Sequence, residues 1–118
     1  LAYPINDFFE AKPLYHLMLD YDRLDWRYYW ANVSDQVDAE YPPTFHWYGK
    51  NDPVLMMFNL ACQGPALERA LTRHGVEHQL RVYQNAPHAI GTGTGTDAEG
   101  WLEEAAAFWD NQVKEMTR

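Results

Sequence analysis

Two turns in this 118-residue sequence hold residue types that can move a proton between them. Asp52 lies in Lys50-Asn51-Asp52-Pro53, directly after the β-rich run Thr44-Phe45-His46-Trp47-Tyr48-Gly49. His88 lies in Asn85-Ala86-Pro87-His88, directly after a second strand-like run over 76–83. In a parallel sheet, ligands and reactive groups collect outside the carboxyl ends of the strands. If these two strands are neighbours, the two side chains meet at one edge of the sheet. A carboxylate accepting a bond from one imidazole nitrogen fixes the tautomer and steadies the imidazolium, which is the base half of a nucleophilic triad. Each turn alone is ordinary loop chemistry; the pair, each following its own strand, is not.

The other reactive side chains fit less well. Ser34, the only serine, is flanked by Val33 and Asp35 and forms no Gly-x-Ser-x-Gly elbow. Cys62, the only cysteine, follows Asp52 and precedes a helix, and reads as a buried structural thiol. The lone cysteine excludes an internal disulfide and a multi-cysteine metal cage. His16, His46, His74, His78 and His88 show no metal-ligand spacing, and Gly75 breaks the helix between His74 and His78. His46 reads as a strand residue packed on a sheet face. The Gly-Thr repeat over 91–96 lacks the Gly-Lys-Thr ending of a phosphate loop and precedes Asp97 and Glu99, so it reads as a flexible loop beside His88. No cofactor and no metal are expected.

The elements that must position the two turns follow from periodicity. A short apolar run over 1–5 contains Pro4 and reads as a strand end. A short helix is expected from Pro13, followed by the aromatic stretch Trp26-Arg27-Tyr28-Tyr29-Trp30. Residues 31–43 are polar, close on two prolines and read as a loop. A helix is expected from Pro65, with Leu67, Ala70, Leu71 and His74 as its buried stripe and Gly75 as its left-handed cap. In the second strand Leu80 and Val82 share one face, Arg81 and Tyr83 the other. A last helix is expected from an Asp97 N-cap, with Trp101, Leu102, Ala105, Phe108, Trp109 and Val113 on one broad apolar face. Strands alternating with helices predict an α/β fold with a parallel sheet.

Composition narrows the partners. Seventeen acidic residues against nine Lys and Arg give a net charge of −8, the opposite of a nucleic-acid footprint or a basic membrane-surface helix. No stretch approaches the roughly 18 apolar residues of a membrane span. The opening Leu-Ala-Tyr-Pro has neither an initiator Met nor the charged and apolar regions of a signal peptide. It fits either processing or a start inside a larger protein. The cytoplasm is the favoured compartment.

The segment from Tyr41-Pro42-Pro43 through Asp52-Pro53-Val54 resembles the part of α/β-hydrolase esterases that delivers the acid of the catalytic triad. Leu67-Glu68-Arg69-Ala70-Leu71 and His74-Gly75-Val76-Glu77 are similar to that family's next helix and its exit. Leu80-Arg81-Val82-Tyr83 with Ala86-Pro87-His88-Ala89-Ile90-Gly91 is similar to its last strand and histidine turn, and Trp101-Leu102 to its closing helix. The likeness covers 41–115 well and 1–40 loosely, and leans toward acetyl-xylan-esterase-like and hormone-sensitive-lipase-like branches. It implies a single partial domain over 1–118: a strand and aromatic insert in 1–40, then strand-helix-strand-helix in 41–118. About three strands of the carboxyl-terminal part of the sheet are expected, without the amino-terminal strands and nucleophile elbow. By resemblance Asp52 is the orienting acid and His88 the general base of a serine carboxylic-ester hydrolase. Triad order places the serine before Asp52, and neither an elbow nor an oxyanion-hole loop is found there. The chain is thus expected to be inactive alone and to serve a small ester substrate only in a complete protein. Homo-oligomerisation, or pairing with an amino-terminal half, is the expected association. The alternative is a non-enzymatic folded fragment or a small α/β interaction module that oligomerises.

Overall fold

The computed structural model describes residues 32–57 and 62–118. The strand and helix expected over 1–5 and from Pro13, and the aromatic stretch 26–30, lie outside them. In chain order the described elements are a 3-10 turn, Val33–Gln36; strand β1, Thr44–Gly49; helix α1, Pro53–Met57; helix α2, Gln63–His74; strand β2, His78–Tyr83; and helix α3, Trp101–Met116. Among the described residues β1 and β2 form a two-stranded sheet, and they pair in parallel as expected.

Alternation along the strands builds three layers. His46 and Tyr48 face α2: the His46 ring reaches Glu68, and the Tyr48 ring lies where a side chain on Gly64 would have to go. Phe45 and Trp47 face the other way, into a cluster with Ala86, Ala98 and Phe108, flanked by Tyr83, Ile90, Trp101 and Ala105. Phe45 meets Phe108 at 6.1 Å between ring centroids, and Trp47 meets Tyr83 edge-on at 5.5 Å. A second cluster, of Val37, Leu67, Ala70, Leu71 and Val76, lies on the α2 side with Val33 and Tyr41 packed against it. Five of the six residues of β1 are buried and none of β2. The sheet therefore has a covered strand and a less covered one.

Helix α2 ends as expected. Gly75 adopts φ 67°, and the Val76 N–H donates to the Leu71 carbonyl while the Gly75 N–H donates to Thr72. Val76 and Leu71 then bury together, the apolar contact that accompanies this cap. The helix begins at Gln63, two residues before the Pro65 start expected from the sequence, and His74 is exposed instead of buried.

Helix α3 departs more from expectation. It starts at Trp101 behind Gly100, not at Asp97. The Asp97 carboxylate instead accepts the Asn85 N–H, tying the last turns to the segment that leads to His88. A tertiary partner outcompetes the local cap. The run 91–96 is a series of hydrogen-bonded turns, with Gly93 donating to Ile90, Thr96 to Gly93 and Gly95 to the Glu99 carboxylate. The broad apolar face of α3 also divides: Phe108 is buried, whereas Leu102, Trp109 and Val113 are exposed.

A side chain is excluded at the end of β1. A Cβ on Gly49 would lie 1.8 Å from the Ala86 carbonyl oxygen, a backbone atom that no rotamer change can move. Gly49→Ala should cost on the order of 2–3 kcal/mol in urea unfolding, as overpacking of a closed site does. Adding Ala86→Gly should leave that loss in place, because the obstructing atom belongs to the main chain.

Candidate functional site

Flush strand ends create the site. Gly49 pairs with Tyr83, so both chains leave the sheet at the same level, and the Lys50 N–H extends the pairing by donating to the Tyr83 carbonyl. Asp52 comes three residues after one strand end and His88 five after the other. The contact that forbids a side chain at Gly49 brings the two turns together.

Asp52 is fully buried. A carboxylate removed from water must have both oxygens engaged. Its Oδ1 accepts the Val54 N–H at 2.8 Å, the bond an N-cap side chain takes from the donor two residues on, with Pro53 at the first position of α1 where no N–H is needed. Its Oδ2 accepts Nδ1–H of His88 at 2.9 Å. That bond assigns the tautomer: with the proton on Nδ1, Nε2 carries the lone pair. His88 is 38% exposed while its partner is sealed. The pair thus joins a sealed carboxylate to a partly exposed imidazole. Ala89, the next residue, is held at φ 59°, a conformation that costs a non-glycine residue about 1 kcal/mol or more and that only a well-determined turn sustains.

The remaining reactive groups lie elsewhere. Ser34 sits on the 3-10 turn and lines a cavity of about 150 Å³ with Asp35, Ala66, Arg69, Ala70 and Arg73. Cys62 precedes α2 and is half-buried rather than fully buried, with the Gln63 amide 3.6 Å from its Sγ. No group of three His, Cys, Asp or Glu able to hold a metal ion occurs among the described residues. No described helix is long and apolar enough to cross a membrane.

Sequence reading missed the role of Glu68. From α2 its two carboxylate oxygens accept Nε2–H of His46 and Nε2–H of His78, each at 3.1 Å, clamping β1 and β2 beneath the helix. Burial pushes the His46 ring below its ordinary value of 6.5, and Glu68 only partly offsets that. Burial also acts downward on His78, but the Val76 carbonyl on Nδ1 and Glu68 on Nε2 outweigh it and raise the ring above 6.5. Two acceptors on two ring nitrogens demand two N–H groups, which is the charged form. The available signal was strand parity: His46 and His78 both occupy positions facing α2. On the opposite face Tyr83 is raised by burial first and by Glu104 second, and burial likewise raises Tyr48.

No family model matches the sequence, and no curated protein matches it. Solved structures do. An acetyl ester-xyloside bifunctional hydrolase from Caldicellulosiruptor lactoaceticus superposes with a TM-score of 0.75 at 19% identity, over 96% of this chain and 41% of its own. A sugar hydrolase (YeeB) from Lactococcus lactis gives 0.71 at 21%, over 98% and 48%. The carboxylesterase Cest-2923 from Lactobacillus plantarum gives 0.71 at 17%, over 96% and 43%. The fold is of the α/β-hydrolase type, in an extent consistent with its carboxyl-terminal part. At these identities the likeness establishes architecture alone. The chain spans less than half of each of these structures. Among the described residues β1 and β2 are paired in parallel, and the Asp52 and His88 turns leave their carboxyl ends.

Folding favours a charged His78 and a neutral His46, so they stabilise in opposite pH ranges. The His78 contribution is complete below its ordinary value of 6.5 and fades as pH climbs through its raised value. The His46 contribution is complete above 6.5 and fades as pH falls through its lowered value. Glu68→Gln should lower both titration midpoints, followed by NMR of the ring protons. An unmoved His78 midpoint would contradict the clamp.

Proposed function

We propose that Asp52 and His88 are the acid and base of a carboxylic-ester hydrolase whose serine and oxyanion hole come from sequence outside these 118 residues. The observation that carries this reading is the 2.9 Å bond from Nδ1–H of a half-exposed His88 to a fully buried Asp52 at the carboxyl edge of a parallel sheet. The acetyl ester-xyloside hydrolase and carboxylesterase structures that share the fold support the substrate class. The order Asp52, α2, β2, His88 in this chain agrees with the Asp-before-His order of an α/β-hydrolase triad.

In that reading Nε2 of His88 takes the hydroxyl proton of the serine as its oxygen attacks the ester carbonyl. The tetrahedral intermediate collapses, the carbon–oxygen bond to the alcohol breaks, and His88 returns the proton to the departing oxygen. Water then attacks the acyl-serine, giving its proton to the same nitrogen. The serine recovers that proton as the carboxylic acid leaves. Asp52 holds the ring in the productive tautomer and stabilises the imidazolium in both halves. Ser34, on the 3-10 turn, is not the nucleophile, and the isolated chain does not hydrolyse esters. Localisation in the cytoplasm and a single partial domain over 1–118 accompany this reading.

The test uses a short p-nitrophenyl ester and a protein in which a Gly-x-Ser-x-Gly segment precedes residue 1. His88→Ala and Asp52→Asn should each lower kcat by on the order of 10³–10⁴, with an unchanged circular dichroism spectrum. The 118-residue chain alone should show no turnover above buffer. Unchanged turnover in His88→Ala would remove the role.

A further inference from the structure

His88 has to be held as well as paired. Its turn runs over the surface: Ala86 is buried and Ile90 half-buried, but Asn85, Pro87, His88 and Ala89 are exposed. One bond at Nδ1 fixes a single ring atom and by itself would leave the main chain behind it free to tilt. Misplacing a reacting group by about 1 Å can cost on the order of 10²-fold in rate. The segment just before α3 supplies the missing hold. The Asp97 carboxylate accepts the Asn85 N–H at 2.9 Å, three residues before His88. The Trp101 indole N–H donates to the Gly91 carbonyl at 3.0 Å, three residues after it. Further on the chain touches the same segment again, since a Cβ on Gly93 would stand 2.6 Å from the Ala98 carbonyl oxygen.

That segment is itself anchored. Ala98 is fully buried in the cluster with Phe45 and Trp47, and the Trp101 ring packs on Trp47 with centroids 5.6 Å apart. Both turns are therefore referred to β1: Asp52 follows its end, and the His88 turn is tied to groups that rest on its face. Local preference points elsewhere. Asp97 is a natural N-cap, yet α3 begins behind Gly100 with no side-chain cap at all. A helix start left uncapped, close to a left-handed alanine at position 89, is a place where local rules are broken, and such places coincide with functional sites. We infer that Asp97 and Trp101 are positioning residues for His88, gripping its turn on both sides so that the ring stays on Asp52. Both act on the main chain of the turn and not on the imidazole. Their effect on turnover rests on the hydrolase reading above; the grip itself does not.

The test is nitrogen NMR of the neutral His88 ring in the 118-residue chain, which separates an N–H nitrogen from one carrying a lone pair. The unaltered chain should hold the proton on Nδ1. Asp97→Ala and Trp101→Phe should each shift the ring toward the tautomer mixture of free imidazole. Phenylalanine keeps an aromatic ring against Trp47 while removing the donor. Asp97→Asn keeps a carbonyl oxygen to accept the Asn85 N–H and should restore most of the Nδ1–H signal. The His46 and His78 rings, on the α2 side of the sheet, should not move. In the longer protein with a Gly-x-Ser-x-Gly segment, Asp97→Ala and Trp101→Phe should each lower kcat by on the order of 10- to 10²-fold with KM unchanged. A His88 ring unmoved by both substitutions would overturn the inference. Equal changes in all three histidines would overturn it too, because they would mark general loosening of the fold. If turnover proves indifferent to His88→Ala, the hydrolase reading falls and the ring signal still decides the grip.

Discussion

A carboxylate buried without contact to water is the constraint around which this end of the molecule is arranged. Asp52 is fully sealed, so leaving either oxygen unmet would cost several kcal/mol. The short helix α1 meets one oxygen through the Val54 N–H, and His88 meets the other. The N-cap that starts a helix and the anchor that orients an imidazole are thus two halves of the same side chain. Proline at position 53 serves both, since it begins the helix without needing a partner for an N–H. The 36-residue separation between Asp52 and His88 is closed by β2 returning parallel to β1, with α2 as the crossover.

Holding that bond requires the two strands to end together and the two turns to touch. The register pairs Gly49 with Tyr83, and the missing side chain at Gly49 admits the Ala86 carbonyl. Around this contact the two faces of the sheet are held by different physics. On the α3 side, the aromatic cluster of Phe45, Trp47, Tyr83, Trp101 and Phe108 is close-packed and apolar. On the α2 side, Glu68 crosses from the helix to both strands through His46 and His78. Asp97 adds a third tie by capping the Asn85 N–H instead of its own helix. The turn carrying His88 is thereby held from β1 and from the segment before α3, which is what sustains Ala89 in a left-handed conformation.

Much of this was legible in residue order. Strand β1 and the parallel pairing followed from alternation and from Gly and Pro punctuation, and the left-handed cap at Gly75 from its place after an amphipathic run. Asp52 and His88 were identifiable because each followed a strand on a proline-containing turn. The failures share one cause. Asp97, His74, Cys62 and Leu102 were assigned from local pattern, and tertiary partners decided otherwise. Asp97 found Asn85, His74 turned outward past the last apolar contact of α2, and α3 met the sheet along one narrow row instead of the broad face its composition suggested. Strand parity could place His46 and His78 on the face toward α2, but which helix residue lies over both was decided only by the packing of α2 on the strands.

The sequence by itself determined the order of the elements, the parallel connection and the two residues that meet at the sheet edge. Those properties depend on periodicity, on glycine and proline, and on short-range chemistry that neighbours in the chain already contain. Tertiary structure alone decided the 2.9 Å bond between His88 and Asp52, the double clamp by Glu68 and which apolar row of α3 is covered. Each of these depends on the distance between residues remote in sequence. Such distances arise only when helices pack across strands in register and buried polar groups find the partners that burial obliges them to have.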